Sequence, residues 1–145
     1  MPDLAYWRRV PAWRRWLLLE ASASLLATRL ALKLAPFRRL TWLFERPARQ
    51  PELTGPARTQ LKREVRWAIR AAAHVLPGKF VCFPRAMTAQ SMLRRRGIST
   101  TLYYGALRLP ERGLTAHVWV QDGDEGVVGS RAARGHTVLA RYPAR

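Results

Sequence analysis

The sequence predicts an α+β fold, with helices first and a small antiparallel sheet last. Two observations carry this. Between residues 12 and 96, apolar side chains recur at helical spacing and are interrupted by prolines and glycines. From Thr100 onward the period falls to two, in short runs separated by turn-forming residues. Helices that precede the strands, instead of alternating with them, indicate segregated layers and not a parallel βαβ sheet.

Residues 3–10 suit a short helix that Pro11 breaks, and residues 12–35 suit a long one that Pro36 stops. Leu18, Leu25 and Leu32 recur every seventh position, with the small Ala21 and Ser22 between the first two, as on an amphipathic helix. A shorter helical piece comes next at residues 37–45. Pro47, Pro51, Gly55 and Pro56 then mark residues 46–56 as a linker. The expected division is an N-terminal helical segment with its linker over residues 1–56 and a second unit over residues 57–145.

Residues 57–75 read as the next helix, with Leu61, Val65, Ala68 or Ile69, and Ala72 on one stripe; Pro77 and Gly78 end it. Another helix starts at Cys82. Pro84 supports that start, because a first-turn proline forfeits no helical hydrogen bond. Gly97 suits a left-handed closing residue, and Arg94, Arg95 and Arg96 before it read as a solvated helix end that complements the dipole.

The strands come next. In Thr100–Leu109, Leu102, Tyr104 and Ala106 share one face. In Thr115–Gln121, Ala116, Val118 and Val120 share one face, and Thr115, His117 and Trp119 the other. Residues 122–126 form a hairpin turn by composition, and 127–130 and 137–142 are two further short strands.

Bulk composition narrows the function classes. The chain has 145 residues, 48% of them hydrophobic, enough for a modest core and too apolar for a disordered tail. Its single cysteine excludes an internal disulfide framework and a multi-cysteine zinc site, and suggests a reducing, cytoplasmic setting. His74, His117 and His136 lie far apart in sequence, so neither a metal nor a cofactor is expected. The net charge is +17, and all but three of the 26 basic residues are arginine. A GC-rich genome would produce that arginine bias without a functional reason. The charge also suits an acidic peptide or other polyanion. No nucleic-acid motif is visible, and nucleic acid is not expected as a partner. Arg8, Arg9, Arg14 and Arg15 precede an apolar run, but Glu20, Arg29 and Lys33 interrupt it and no good cleavage site comes after it. It therefore reads as neither a signal peptide nor a membrane span. Its first reading is core, and its second is contact with a membrane surface, which Trp13, Trp16 and the flanking arginines suit.

The candidate chemistry lies at Cys82 and His117. Separately, each has an ordinary explanation: a lone cysteine is most often a small buried hydrophobe, and many strand histidines are structural. Together, a thiol at a helix start with a histidine on a later strand is the pattern of a cysteine hydrolase or acyltransferase. Helix N-terminal N–H groups favour the thiolate, and imidazole can carry the proton.

These residues carry a resemblance. Cys82 heading a helix, Met92-Leu93-Arg94-Arg95-Arg96-Gly97-Ile98, Leu102-Tyr103-Tyr104-Gly105, Ala116-His117-Val118-Trp119-Val120 and Thr137-Val138-Leu139-Ala140 resemble the lasso peptide biosynthesis B2 proteins, over about residues 60–142. The leucine-rich N-terminal helix and Pro36-Phe37-Arg38-Arg39 are similar to the stand-alone form of that family. The resemblance implies a transglutaminase- or papain-like core, with the cysteine-bearing helix packed on the sheet. It implies a leader peptidase acting on a ribosomally made precursor peptide. Cys82 would be the nucleophile and His117 the general acid/base. A separate leader-recognition protein and an asparagine-synthetase-like cyclase would be its partners. The family pattern often adds an aspartate on the strand after the histidine, where this chain reads Val127-Val128-Gly129-Ser130. Asp122 and Asp124 sit too far along the hairpin to serve, so the group that orients His117 is expected to be a backbone carbonyl, the Ser130 hydroxyl or a water. The alternative from a different class is a non-enzymatic basic adaptor that binds an acidic peptide or nucleic acid, with Cys82 merely buried.

Overall fold

The structure, a computed structural model, describes residues 4–43, 45–78 and 80–143. Asp3 of the first expected helix, Phe44 of the third, and Lys79 lie outside the described residues. The elements are α1 (Leu4–Arg9), α2 (Ala12–Leu34), α3 (Phe37–Leu40) with a 3-10 turn at Thr41–Leu43, α4 (Gly55–Val75), α5 (Cys82–Arg95), then β1 (Thr101–Leu109), β2 (Gly113–Asp122), β3 (Glu125–Val128) and β4 (Thr137–Tyr142). The four strands form one antiparallel sheet in the order β3-β2-β1-β4. The α+β class expected from the sequence is the class observed.

Helix α2 buries Leu17, Ala21 and Leu25, while Leu18 and Leu32 pack only at the margin. The buried stripe thus runs at a spacing of four and shares only Leu25 with the heptad seen in the sequence. The opposite face stays open: Trp16 is 72% exposed and Leu34 77%, with Leu19, Leu26 and Leu30 also exposed. Among the described residues no helix is long and apolar enough to cross a membrane.

Helix α4 begins at Gly55, inside the expected linker, because Pro56 is itself a first-turn proline. Its Val65, Ala68, Ile69 and Ala72 meet α5 residues Ala86, Ala89, Met92 and Leu93 in one core with Leu17 and Leu25 of α2. Two charges on α4, Lys62 and Glu64, are also buried, and both are paired. Lys62 Nζ lies 2.8 Å from Asp122 and also contacts Glu125, while Glu64 takes Arg14 Nε at 2.7 Å. A buried charge is tolerated only with such partners, and these tie α4 to the β2–β3 hairpin and to α2.

Helix α5 ends in a Schellman closure. The Ile98 N–H reaches the Leu93 carbonyl at 3.0 Å and the Gly97 N–H that of Arg94 at 3.1 Å, with Gly97 at φ 82°. The expected linker folds onto this end: Arg49 N–H bonds the Arg94 carbonyl at 3.0 Å and Leu53 N–H the Gly97 carbonyl at 2.8 Å. A β-carbon on Gly97 would stand 3.1 Å from the Pro51 oxygen, so the close approach also requires glycine. Arg94–Arg96 are not simply solvated. Arg95 and Arg96 both bond Glu20 of α2, and Arg94 donates to the Leu43 carbonyl. Glu20 is accordingly held below the ordinary carboxylate range, mainly by the Arg96 hydrogen bond.

The sheet has two different faces. Leu102, Val118 and Val120 are fully buried in the main core, with Tyr104 packed against it. The alternate residues face away. Among them Trp119 is only 4% exposed although it belongs to no part of that core. Its ring is stacked between Tyr103 at 5.6 Å and His117 at 6.0 Å. The strand pairing places Gly105 opposite His117, and a β-carbon there would lie 2.8 Å from the indole. A second, small aromatic layer therefore covers the outer face, and residues 130–136 fold over it to bring His136 to 5.5 Å from His117.

Candidate active site

Cys82 is the first residue of α5, with Val81 as N-cap in extended conformation. Pro84 occupies the third helical position, as its missing N–H predicts. The thiol is partly buried against the core and is free. Phe83 beside it packs on Phe37 at 4.9 Å and on Tyr104 at 6.0 Å, which pins this end of the helix to β1 and to α3. The first N–H groups of the helix, Cys82's own among them, have no intrahelical acceptor. They are the local donors available to an anion.

His117 is in the middle of β2, between Ala116 and the fully buried Val118. Strand alternation turns it to the outer face, toward Trp119 and His136. Its Nε2 lies 2.8 Å from the Gly129 carbonyl oxygen. A carbonyl only accepts, so Nε2 carries the proton and Nδ1 is the nitrogen left to act as a base. Of the three orienting groups open from the sequence, the backbone carbonyl is the one bonded. The Ser130 hydroxyl is turned elsewhere: a β-carbon on Gly126 would meet its Oγ at 2.4 Å. Asp122 is occupied at the far end of the hairpin, where Arg58 and Lys62 hold it at 2.7 and 2.8 Å. The Arg58 hydrogen bond, aided by Lys62 and opposed by burial, brings its pKa down to about 2.

Gly129 is what admits this geometry. It sits at φ 77°, and a β-carbon would stand 3.2 Å from His117 Nε2 and 3.1 Å from the Val118 oxygen. The chain turns away from the sheet there, directly after β3, and points its carbonyl back at the imidazole.

Among the described residues no hydrogen bond joins the Cys82 thiol to His117. Neither side chain lines the cleft of about 590 Å³ beside α5, and the two lie on different faces of the sheet, Cys82 packed with α5 against the core face and His117 on the outer one. Arg85, one helical turn beyond Cys82, lines one wall. Gly129, which supports His117, lines another. Sequence reasoning singled out neither Arg85 nor His136. Their only signals were helical spacing from Cys82 in the first case and a position in a loop before the last strand in the second. Of the remaining histidines, His74 belongs to a different cleft on α4, beside Trp67 and Trp7.

A family model for the transglutaminase-like superfamily matches residues 24–141, four fifths of the chain. No curated protein and no solved structure matches it. The matched span runs from within α2 to β4 and takes in both Cys82 and His117, the helix-borne thiol and strand-borne imidazole, so the chain belongs to the transglutaminase-like superfamily.

Proposed function

We propose that this protein is a cysteine peptidase that removes the leader from a ribosomally made lasso peptide precursor. The observation that carries the reading is the Cys82 thiol at the first position of α5, where helix N-terminal N–H groups favour its thiolate, together with a strand histidine whose Nε2 is tied to the Gly129 carbonyl so that Nδ1 is the nitrogen left to act as a base. A transglutaminase-like fold, in a superfamily that includes cysteine proteases and transglutaminases, supports it. The assignment of lasso precursors rests on the resemblance of the motif residues.

The chemistry is set by the side chains. The Cys82 thiolate adds to the carbonyl carbon at the leader–core junction, and the oxygen takes the negative charge. N–H groups at the start of α5 stabilise that oxyanion. His117, having received the thiol proton at Nδ1, gives it to the departing core amine as the C–N bond breaks. The leader remains as a thioester on Cys82. Water, deprotonated by Nδ1, then attacks the thioester, and the leader leaves as a carboxylic acid with the thiol regenerated. This reading requires the start of α5 and strand β2 to rearrange on the bound peptide, because the thiol and the imidazole lie on different faces of the sheet. The partners are a separate leader-binding protein, which delivers the precursor, and a cyclase that uses the freed amine.

The test is a mass-spectrometric assay of a synthetic precursor with the purified protein and the leader-binding protein. Leader and core should appear, and Cys82→Ala should yield neither while keeping its melting curve. Cys82→Ser should be nearly as inactive. Full cleavage by Cys82→Ala would end the peptidase assignment.

A further inference from the structure

The cleft beside residues 126–132 has a chemical character that catalysis does not explain. Four arginines line it: Arg66 and Arg70 from α4, Arg85 from α5, and Arg131. No acidic residue does. Among the described residues none of the four makes an ion pair. Arg66 is used structurally, its Nε bonding the Val127 carbonyl at 2.6 Å and its Nη2 the Gly126 carbonyl at 3.0 Å. Arg85 is not: its Nε is shielded from solvent and has no partner. An unpartnered guanidinium nitrogen withdrawn from water is costly unless an acceptor arrives.

We propose that this cleft is a subsite for a carboxylate of the substrate peptide, an acidic side chain near the bond that is cut, with Arg85 and Arg70 as its principal binding groups. The proposal deepens the peptidase reading and rests on it for the identity of the ligand as a peptide. Guanidinium groups suit a carboxylate because their fork can donate two parallel hydrogen bonds. Arg85 stands one turn from Cys82 on the same helix, which places a bound acid within a few residues of the attacked carbonyl. Recognition by strand addition is blocked here, since Arg66 already occupies the carbonyls of Gly126 and Val127 on the edge strand β3. Selectivity in the cleft therefore falls to side chains.

The experiment needs no cleavage. In the full-length Cys82→Ala protein, binding of a fluorescein-labelled Gly/Ser decapeptide with two adjacent glutamates is compared with its glutamine counterpart by anisotropy. The glutamate peptide should bind at least about tenfold more tightly. Arg85→Gln should remove most of that difference, and so should Arg70→Gln, which alters an exposed residue and keeps the fold measurable should Arg85→Gln unfold. Arg112→Gln, in the exposed β1–β2 turn, controls for bulk charge and should leave the difference intact. Equal binding of the two peptides, or an Arg112→Gln effect as large as that of Arg85→Gln, overturns the proposal. Tighter binding of a single-stranded RNA oligomer, with the same dependence on Arg85, overturns it in favour of nucleic acid. If the precursor is never cut but glutamate is still preferred through Arg85, the peptidase reading fails and the carboxylate site stands.

Discussion

His117 donates its Nε2 proton to the carbonyl oxygen of Gly129, 2.8 Å away, and this one bond decides which imidazole nitrogen can work as a base. A carbonyl in this place orients the ring as an aspartate would, without adding a negative charge. Gly129→Ala should therefore damage catalysis more than folding. Its φ of 77° costs a side chain about 1–2 kcal/mol, and the new β-carbon would press on Nε2. Activity on the precursor should fall at least about tenfold in kcat with little change in KM, and the pH profile should shift, while His117→Ala loses about a hundredfold or more. An unchanged kcat and pH profile in Gly129→Ala would show that the carbonyl does not position the base.

The two hairpin aspartates should behave differently from each other. Asp124→Ala, in the exposed turn, should keep both stability and activity. Asp122→Ala should keep activity at neutral pH but lower stability, because it strips Arg58 and the buried Lys62 of their shared acceptor. Burial by itself would lower the Lys62 pKa, yet its hydrogen bonds to Asp122 and Glu125 raise it. Asp122 has its pKa depressed from 3.8 to about 2. Its ionised form is the one the fold prefers, so the contribution is complete above about pH 4 and disappears as pH falls toward 2. Allowing for solvent screening, it amounts to about 1–2 kcal/mol. Urea denaturation at pH 7 and at pH 3 should show the wild type losing part of this margin and Asp122→Ala losing none of it. If Asp122→Ala were as inactive as His117→Ala while still folded, Asp122 would be a catalytic member.

Gly105→Ala should be destabilising out of proportion to its size. The added methyl would sit 2.8 Å from the Trp119 ring and 2.9 Å from the Thr137 oxygen, both fixed by the sheet. Overpacking of this kind costs about 1–3 kcal/mol, and displacement of the indole would disturb the His117 stack as well. A melting temperature within a degree of wild type would show that the outer aromatic layer is loose.

Leader removal should depend on a leader-binding protein supplied in trans and should weaken with salt. With a net charge of +17, long-range capture of an acidic leader or partner is screened beyond about 10 Å at 0.1 M salt. Raising salt should increase KM more than it lowers kcat. Cleavage at a rate that the leader-binding protein does not raise would contradict the dependence.

The class of fold and the elements that bear the chemistry are legible in the sequence, because both depend on local rules. Pro84 and Gly97 bracket α5 through backbone geometry alone, and the period of two from Thr101 to Asp122 sorts Val118 from His117 without reference to the rest of the chain. The sequence places the start of α4 two residues late, because Pro56 looks like the end of the linker and is in fact the second residue of the helix. The features that tertiary structure alone decided involve residues distant in sequence. Lys62 and Glu64 are buried on α4 because Asp122, Glu125 and Arg14 reach them from 50 or more positions away. Arg95 and Arg96 are engaged rather than solvated because α2 brings Glu20 beside them, and Arg94 because the Leu43 carbonyl accepts from it. The group that orients His117 is a carbonyl twelve residues on, and a main-chain oxygen leaves no mark in a sequence. A period or a proline acts on its own neighbours, whereas an ion pair, a cleft or a carbonyl acceptor exists only once the chain has brought its parts together.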